Sequence, residues 1–323
     1  MKKLVIFANC QCRALAQTLM ESHEFSLCYE WDFLPAVQNL SKQHVPEMLA
    51  KVREADLFLY QPVSEDPTRP VEITSAFLRE QVKPSATALS FPSLYFDGYF
   101  PHLQTLQGYI STLYLVHDYF IAYACAIGLT IEETLSLIQS EDLYPKDVSI
   151  RLVEASFNNL ADRETEFDID IKISRFLRDN YRREKLFNQF NHPKRPILKH
   201  IAEKILAKIG LEKPLLPEMG PSHMDEIMTP IYKSTYKNLE LEFKEDFYTY
   251  SGTGNSRLTQ LEVVRSFFDF YRQRNLPDIK RHVSEVKPFV VHIIENKRNS
   301  IGSKIRRSAM RYFSVVRNVF GPA

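Results

Sequence analysis

Cys10 stands between two carboxamides, Asn9 and Gln11, directly after the apolar run Leu4-Val5-Ile6-Phe7-Ala8. Leu15 and Leu19, with Ala14 and Ala16, then open an apolar stripe at helical spacing. A strand, a tight turn and a helix N-terminus therefore meet at a thiol. The first N–H groups of a helix lack intrahelical partners and carry partial positive charge. Beside a cysteine they lower its pKa, and they also hold a phosphate or stabilise an oxyanion. Cys10 is thus a candidate nucleophile, with Asn9 and the N–H groups of Gln11 and Cys12 as a candidate oxyanion hole. The competing reading is structural, since most cysteines are buried and inert. The Cys10-Gln11-Cys12 spacing suits neither a zinc knuckle nor a redox Cys-x-x-Cys pair.

A nucleophilic thiol needs a base within hydrogen-bond reach, and histidine is the usual one. Of the nine histidines, three stand out. His102 follows an aromatic run with Gly98 as its hinge, expected to lie over the strand ends. His117 opens a largely apolar helix beside Asp118; helix neighbours point apart, so a more distant acid is its better partner. His192 precedes a proline, which makes its backbone extended, and Lys194 and Arg195 follow. At least one of the three is expected to be functional. His23, His44, His200 and His282 fall in polar or helix-surface settings.

Strand and helix signals alternate through the first third of the chain. Strands at Leu4–Ala8, Phe25–Trp31, Asp56–Gln61 and Ala86–Phe91 are separated by helices at Gln11–Ser22, Pro46–Glu54 and Thr74–Gln81. This pattern predicts an α/β fold with a Rossmann-like parallel sheet and right-handed crossovers. Ligands bind at the carboxyl ends of such strands, where Asn9-Cys10-Gln11, Gln61 with Ser64, and Ser90 with Ser93 and Tyr95 would converge. The second half is helix-rich, with segments at Tyr114–Ile127, Ile131–Ile138, Pro145–Arg163, Lys199–Ile209 and Ser256–Arg274. Thr130 and Glu133 form a capping-box start for the second of these. A strand is expected at Lys185–Phe190 and a wrapping loop around Pro214, Pro217 and Pro221. The expected organisation is a catalytic α/β domain over 1–212, a helical extension packed on it over 213–285, and a basic amphipathic tail over 286–323.

The 323 residues are 44% hydrophobic and 25% charged with a net charge of +1, an ordinary globular balance that argues against a dedicated nucleic-acid binder. Four cysteines without framework spacing imply reduced thiols and a cytoplasmic location. The N-terminal apolar run is too short for a signal peptide, and no run approaches a membrane span. The histidines, cysteines and carboxylates lack metal-ligand spacing, so no metal is expected. In the tail, Lys297, Arg298, Lys304, Arg306, Arg307, Arg311 and Arg317 alternate with Ile301, Ile305, Tyr312, Val316 and Phe320 at helical spacing. Such a helix suits peripheral contact with an anionic membrane, or docks on its own domain with a solvated basic face.

Asn9-Cys10-Gln11, Gln61-Pro62-Val63-Ser64, Phe91-Pro92-Ser93-Leu94-Tyr95-Phe96-Asp97-Gly98-Tyr99, Phe190-Asn191-His192-Pro193 and Thr229-Pro230-Ile231-Tyr232 together resemble the capsule-polysaccharide biosynthesis family WcbI. The resemblance covers roughly residues 3 to 270. It implies that coenzyme A or acetyl-coenzyme A is a co-substrate and that an acetyl group passes to a bacterial surface polysaccharide or its precursor; the basic tail would place this at the inner membrane face, and without that contact it would occur in the cytoplasm. In that chemistry Cys10 attacks the thioester with His117 as base and Asn9 in the oxyanion hole, or His117 or His102 deprotonates the acceptor while Cys10 lines the pocket. Coenzyme A carries three phosphates, for which Arg13, Lys194 and Arg195 are candidates. The Tyr95-Phe96 region would stack the adenine, and Gln11, Gln61, His102 and His192 complete the binding set. Members generally carry Gly where this chain has Ala8, a strained position if the turn needs positive φ. Competing readings are an esterase or deacetylase with Cys10 in the serine position of small Ser-dependent hydrolases, and a non-catalytic coenzyme A-binding scaffold. A glycosyltransferase finds no Gly-x-Gly-x-x-Gly or Asp-x-Asp support.

Overall fold

Leu4 to Phe7 are apolar without alternation, as a strand covered on both faces must be. They form β1 (Lys2–Phe7), an inner strand of a four-stranded sheet in the computed structural model, which describes residues 1–106, 116–211, 223–251 and 257–298. The other strands are β2 (Tyr29–Asp32), β3 (Leu57–Tyr60) and β4 (Thr87–Ser90), in the order β2-β1-β3-β4 with every pairing parallel. Helices α1 (Gln11–Met20), α2 (His23–Cys28), α3 (Val45–Glu54) and α4 (Ser75–Gln81) connect them. The strand order reverses between β1 and β3, and a crevice opens beyond their carboxyl ends at such a switch point.

One expected strand is partly a helix. Phe25, Leu27, Tyr29 and Trp31 alternate like a half-buried strand, yet Leu27 is exposed and Phe25 fully buried. Ser22 decides the matter: its hydroxyl accepts the Phe25 N–H and starts α2, as an N-cap serine does. Only Tyr29–Asp32 then joins the sheet. Ala8 is buried beside it and takes no positive φ, so it stands in its turn without the strain expected of a glycine replacement.

Beyond β4 the chain crosses the strand ends and becomes helical. A two-residue pair, β5 (Leu103–Gln104) and β6 (His117–Asp118), precedes α5 (Tyr119–Ala126), α6 (Ile131–Ile138), α7 (Lys146–Glu166) and α8 (Ser174–Asn180). Then follow β7 (Phe187–Gln189) and β8 (His192–Pro193), α9 (Arg195–Lys208), α10 (Lys233–Asn238), β9 (Thr249–Ser251), β10 (Arg257–Thr259), α11 (Gln260–Arg272) and α12 (Leu276–Val286), with further helix over 288–298. The Thr130–Glu133 capping box forms as the spacing predicts. His117 does not open a helix, however; it lies on β6, and Asp118 caps α5 by accepting the N–H groups of Phe120 and Ile121. One apolar core runs from Leu4 to Ile294, so helices from both halves share it. A smaller core holds Val5, Phe7, Phe58 and Tyr60 against α3 and α4. The wrapping loop around Pro214, Pro217 and Pro221 and the basic tail beyond residue 298 lie outside the described residues. Among the described residues no helix is long and apolar enough to cross a membrane, and no three histidine, cysteine or acidic side chains gather as metal ligands.

Gly98 is a packing device and not the expected hinge. A Cβ there would lie 2.5 Å from Phe96 Cζ and 2.7 Å from Val153 Cγ2. Phe96 is itself held between Phe157 and Phe187. Gly98→Ala should therefore cost about 1–3 kcal/mol, the usual price of overpacking a close-packed core. A urea melt with an unchanged midpoint would refute this.

Candidate active site

The carboxamides flanking Cys10 face inward and bond to each other's neighbours. Asn9 accepts the Gln11 N–H on Oδ1 (3.0 Å) and donates from Nδ2 to Ser93 Oγ (2.9 Å). Its own N–H donates to Gln61 Oε1 (3.0 Å) at the end of β3. Gln61 Nε2 in turn donates to Gln11 Oε1 (3.0 Å), which also accepts the Leu94 N–H (3.1 Å). Gln11 Nε2 donates to the carbonyls of Leu94 (2.8 Å) and Asn191 (3.0 Å). Four separate segments of chain are thus locked together at the carboxyl ends of β1, β3 and β4. Gln11 and Gln61 are almost fully buried, so each of these bonds satisfies a group that water does not reach. Of the groups expected to converge at the strand ends, Asn9, Gln11, Gln61 and Ser93 meet in this clamp, whereas Ser90 bonds to Asp170 instead.

Cys10 is the half-exposed residue on this clamped turn. Its φ and ψ are helical, it makes no capping bond, and it packs against Ala14, Leu198 of α9 and Met224. The helix start does not yield the low thiol pKa expected from its dipole. Burial raises it, and the thiol's own backbone N–H offsets only part of that. The N–H groups proposed as an oxyanion hole are engaged too: Gln11 N–H with Asn9 Oδ1, and Cys12 N–H with the Asn9 carbonyl at 3.0 Å. Cys12 points into the main core, where burial pushes its thiol to about 11.

The three histidines separate in space. His192 follows Asn191, whose carbonyl holds Gln11, and leads into α9, whose Leu198 touches Cys10. His117 is fully buried, with Nδ1 2.7 Å from Tyr271 Oη and its ring among Phe267, Phe270 and Tyr271 of α11. His102, also fully buried, stacks on Tyr232 at 3.9 Å and shares Nδ1 with Tyr144 Oη. Full burial suits neither His117 as the expected catalytic base nor His102 as the expected cofactor ligand or alternative base. Both belong to a polar island inside the core, completed by Asp118, whose Oδ2 accepts the Tyr232 hydroxyl.

That island has a consequence for stability. Burial raises the Asp118 carboxyl from 3.8 to about 6, while His102 is kept neutral well below its ordinary value. A raised carboxyl means that the folded state holds a proton the unfolded state has released, so Asp118 lowers stability as pH rises from 3.8 towards 6. At 1.36 kcal/mol per pH unit this comes to about 3 kcal/mol. His102 has the opposite sign, binding its proton only when unfolded, and the two slopes oppose each other there. Asp118→Asn should then gain about 3 kcal/mol relative to the parent chain between those limits. Parallel stability profiles for parent and variant over that range would disprove it.

A family model described as "Polysaccharide biosynthesis enzyme WcbI" matches residues 3–214. The chain belongs to the WcbI family. The fold agrees with a solved structure described as WcbI, a novel polysaccharide biosynthesis enzyme, in its native form without a disulfide bond between coenzyme A and a cysteine. The TM-score is 0.76 at 22% identity, covering 91% of this chain and 98% of that one. No curated protein sequence matches the chain.

Within this WcbI-family chain the expected phosphate ligands have different fates. Arg195 pairs with Glu21 at the end of α1 through both guanidinium nitrogens, which commits it to joining α9 to α1. Lys194 is half-buried at the start of α9 and forms no ion pair among the described residues. Arg13 is exposed on the first turn of α1. Phe96 is wholly buried and cannot stack an adenine, whereas Tyr95 is 40% exposed, beside Phe190 and under the Arg163 guanidinium. Two residues to which the sequence assigns no role belong here. Asn191 keeps a buried side-chain oxygen without a partner next to the Gln11 clamp. Arg163 of α7 donates to the Ser93 carbonyl at 2.9 Å and leaves Nη2 buried and unpaired. Nothing local marks Arg163, which sits in an ordinary charged helix segment.

Proposed function

We propose that this WcbI-family chain transfers an acyl group, acetyl in the first instance, from coenzyme A to a saccharide in surface-polysaccharide biosynthesis. The observation that carries the reading is the Cys10 turn: a half-exposed thiol at the sheet's switch point, on a backbone clamped by Gln11 and Gln61. The solved relative, whose description concerns a disulfide between coenzyme A and a cysteine, supports a thiol lying close to that co-substrate. The residues present fit such a ligand. Lys194 and Arg13 offer cations to its phosphates, and the unpaired Asn191 side-chain oxygen suits an amide N–H of the pantetheine arm. When bound, the co-substrate supplies a thioester carbonyl open to attack.

In this scheme Asn9, Gln11 and Gln61 fix the turn, so that Cys10 meets the carbonyl in one orientation. Burial keeps the thiol protonated, so it loses its proton as it attacks; the carbonyl–sulfur bond of the donor breaks, coenzyme A leaves as the thiol carrying that proton, and the sugar hydroxyl then displaces Cys10 from the acyl-enzyme. His192 is assigned as the proton acceptor, because the adjacent Asn191 carbonyl accepts from Gln11 and Leu198 of the helix that follows packs against Cys10. His117 and His102 serve the core. The raised thiol pKa favours a second reading, in which Cys10 lines the pocket and His192 deprotonates the sugar hydroxyl directly. Calorimetric titration of coenzyme A and acetyl-coenzyme A tests the donor, and absence of binding to both would end the proposal. Peptide mass spectrometry after rapid acid quench separates the two readings. An acetyl adduct on the Cys10 peptide supports covalent transfer, and turnover without one supports the direct route.

A further inference from the structure

Away from the Cys10 turn, a cavity of about 260 Å³ opens between the loop after β4, helix α7 and the residues following α12. Tyr95, Asp97, Ser156, Asn159, Lys287 and Phe289 supply its polar and aromatic lining. We propose that this cavity binds one sugar ring of the acceptor, its hydroxyls bridging Asp97 and Lys287 and its apolar face resting on Tyr95 or Phe289. The proposal rests on the acyl-transfer reading and names the acceptor subsite of that enzyme.

Charge comes first. Asp97 donates its backbone N–H to Ser156 Oγ (2.9 Å), but among the described residues no hydrogen bond or ion pair reaches its carboxylate or the Lys287 ammonium. Both are partly buried, and burial destabilises both charges while each favours the other across the cavity. Opposite charges held apart at a shared opening are best served by a group that donates to one and accepts from the other. A hydroxyl does both, and vicinal hydroxyls do so at two points. Size comes second. Drug-sized ligands occupy pockets of roughly 300–1,000 Å³, so this cavity holds a single ring and not coenzyme A, whose phosphates Asp97 would also repel.

A chain of contacts also links the cavity lining to the Cys10 turn. Tyr95 lies under Arg163, Arg163 holds the Ser93 carbonyl, and the Ser93 hydroxyl holds Asn9 beside Cys10. The unpaired Arg163 Nη2 is a buried donor on that path, awaiting an oxygen from a ligand. Lys287 and Phe289 lie beyond the residues matched by the family model. On this view acceptor choice is written partly outside the segment that carries the family signature, and Tyr95 serves the sugar instead of the adenine.

Saturation-transfer NMR on the full chain with the methyl glycosides of glucose, galactose, mannose, N-acetylglucosamine and glucuronic acid tests the assignment, with coenzyme A titrated calorimetrically into the same samples. At least one glycoside should bind, and Asp97→Asn and Lys287→Met should each weaken it tenfold or more while coenzyme A affinity stays unchanged. Tyr95→Ala, at an exposed ring, gives the same readout if a charge variant misfolds. No glycoside binding, undiminished binding in the variants, or a tenfold loss of coenzyme A affinity instead would overturn the proposal. Glycoside binding that is lost in the variants, in a protein that ignores coenzyme A, would uphold this site and sink the donor assignment.

Discussion

Gln61→Leu is expected to lower the unfolding free energy by about 4 kcal/mol and to weaken coenzyme A binding at least tenfold. Leucine fills much the same space but removes three bonds at once. The Asn9 N–H loses its acceptor, Gln11 Oε1 loses one of two donors, and the Pro92 carbonyl loses its 3.4 Å contact. Gln61 is only 3% exposed, so water does not replace them. Each buried group left unpaired costs about 1–3 kcal/mol, a large share of the 5–15 kcal/mol that holds a typical domain together. Gln61→Glu sharpens the test. One carboxylate oxygen can still accept the Asn9 N–H, but the other faces Gln11 Oε1 and the Pro92 carbonyl, three acceptors without a proton. That variant should recover stability on acidification, as its carboxyl becomes a donor, whereas the leucine variant should not. Equal urea midpoints for Gln61→Leu and the parent chain would show that the clamp is dispensable.

The second large effect concerns the thiol. If Cys10 carries the acyl group, Cys10→Ala should reduce transfer on the order of 10³-fold or more, as loss of an enzyme's nucleophile does, with coenzyme A affinity little changed. A loss within tenfold would leave Cys10 as pocket lining. A reactivity measurement reports on the same group without turnover. Because burial raises the thiol pKa, alkylation of Cys10 by iodoacetamide should be slow at neutral pH and climb until the pH exceeds the ordinary thiol value of 9.0. A rate plateau near pH 7 would mean a preformed thiolate, and the proton-transfer role given to His192 would fall with it.

The sequence reading reached the turn because the physics there is local. An apolar strand, two carboxamides, a cysteine and a helical stripe follow one another within twenty residues, and Gln61 repeats the pattern at the end of β3. What the carboxamides do is not legible there: Asn9 itself occupies the N–H groups of Gln11 and Cys12, and only the fold brings Ser93, Leu94 and Asn191 up to the carboxamide side chains. At His117 the apolar residues on either side continue a helical pattern, whereas the decisive event is Asp118 capping α5. The second strand failed on a single hydroxyl, that of Ser22. The cavity of Asp97 and Lys287 was out of reach altogether. Its two charges lie far apart in the chain, at Asp97 and Lys287, and neither sits in a motif that assigns it a partner.

Helix α5 is apolar on every side, and Tyr119 to Cys125 are all buried, so it belongs inside the molecule and has no face for water. Helices α11 and α12 pack against it, and they are translated long after it. At 5–20 residues per second the ribosome needs on the order of ten seconds to make the intervening chain. For that interval α5 is a sticky, uncovered segment on a half-made protein. Exposed apolar segments of this kind promote aggregation of incomplete chains, so lower growth temperatures during expression should favour the soluble product.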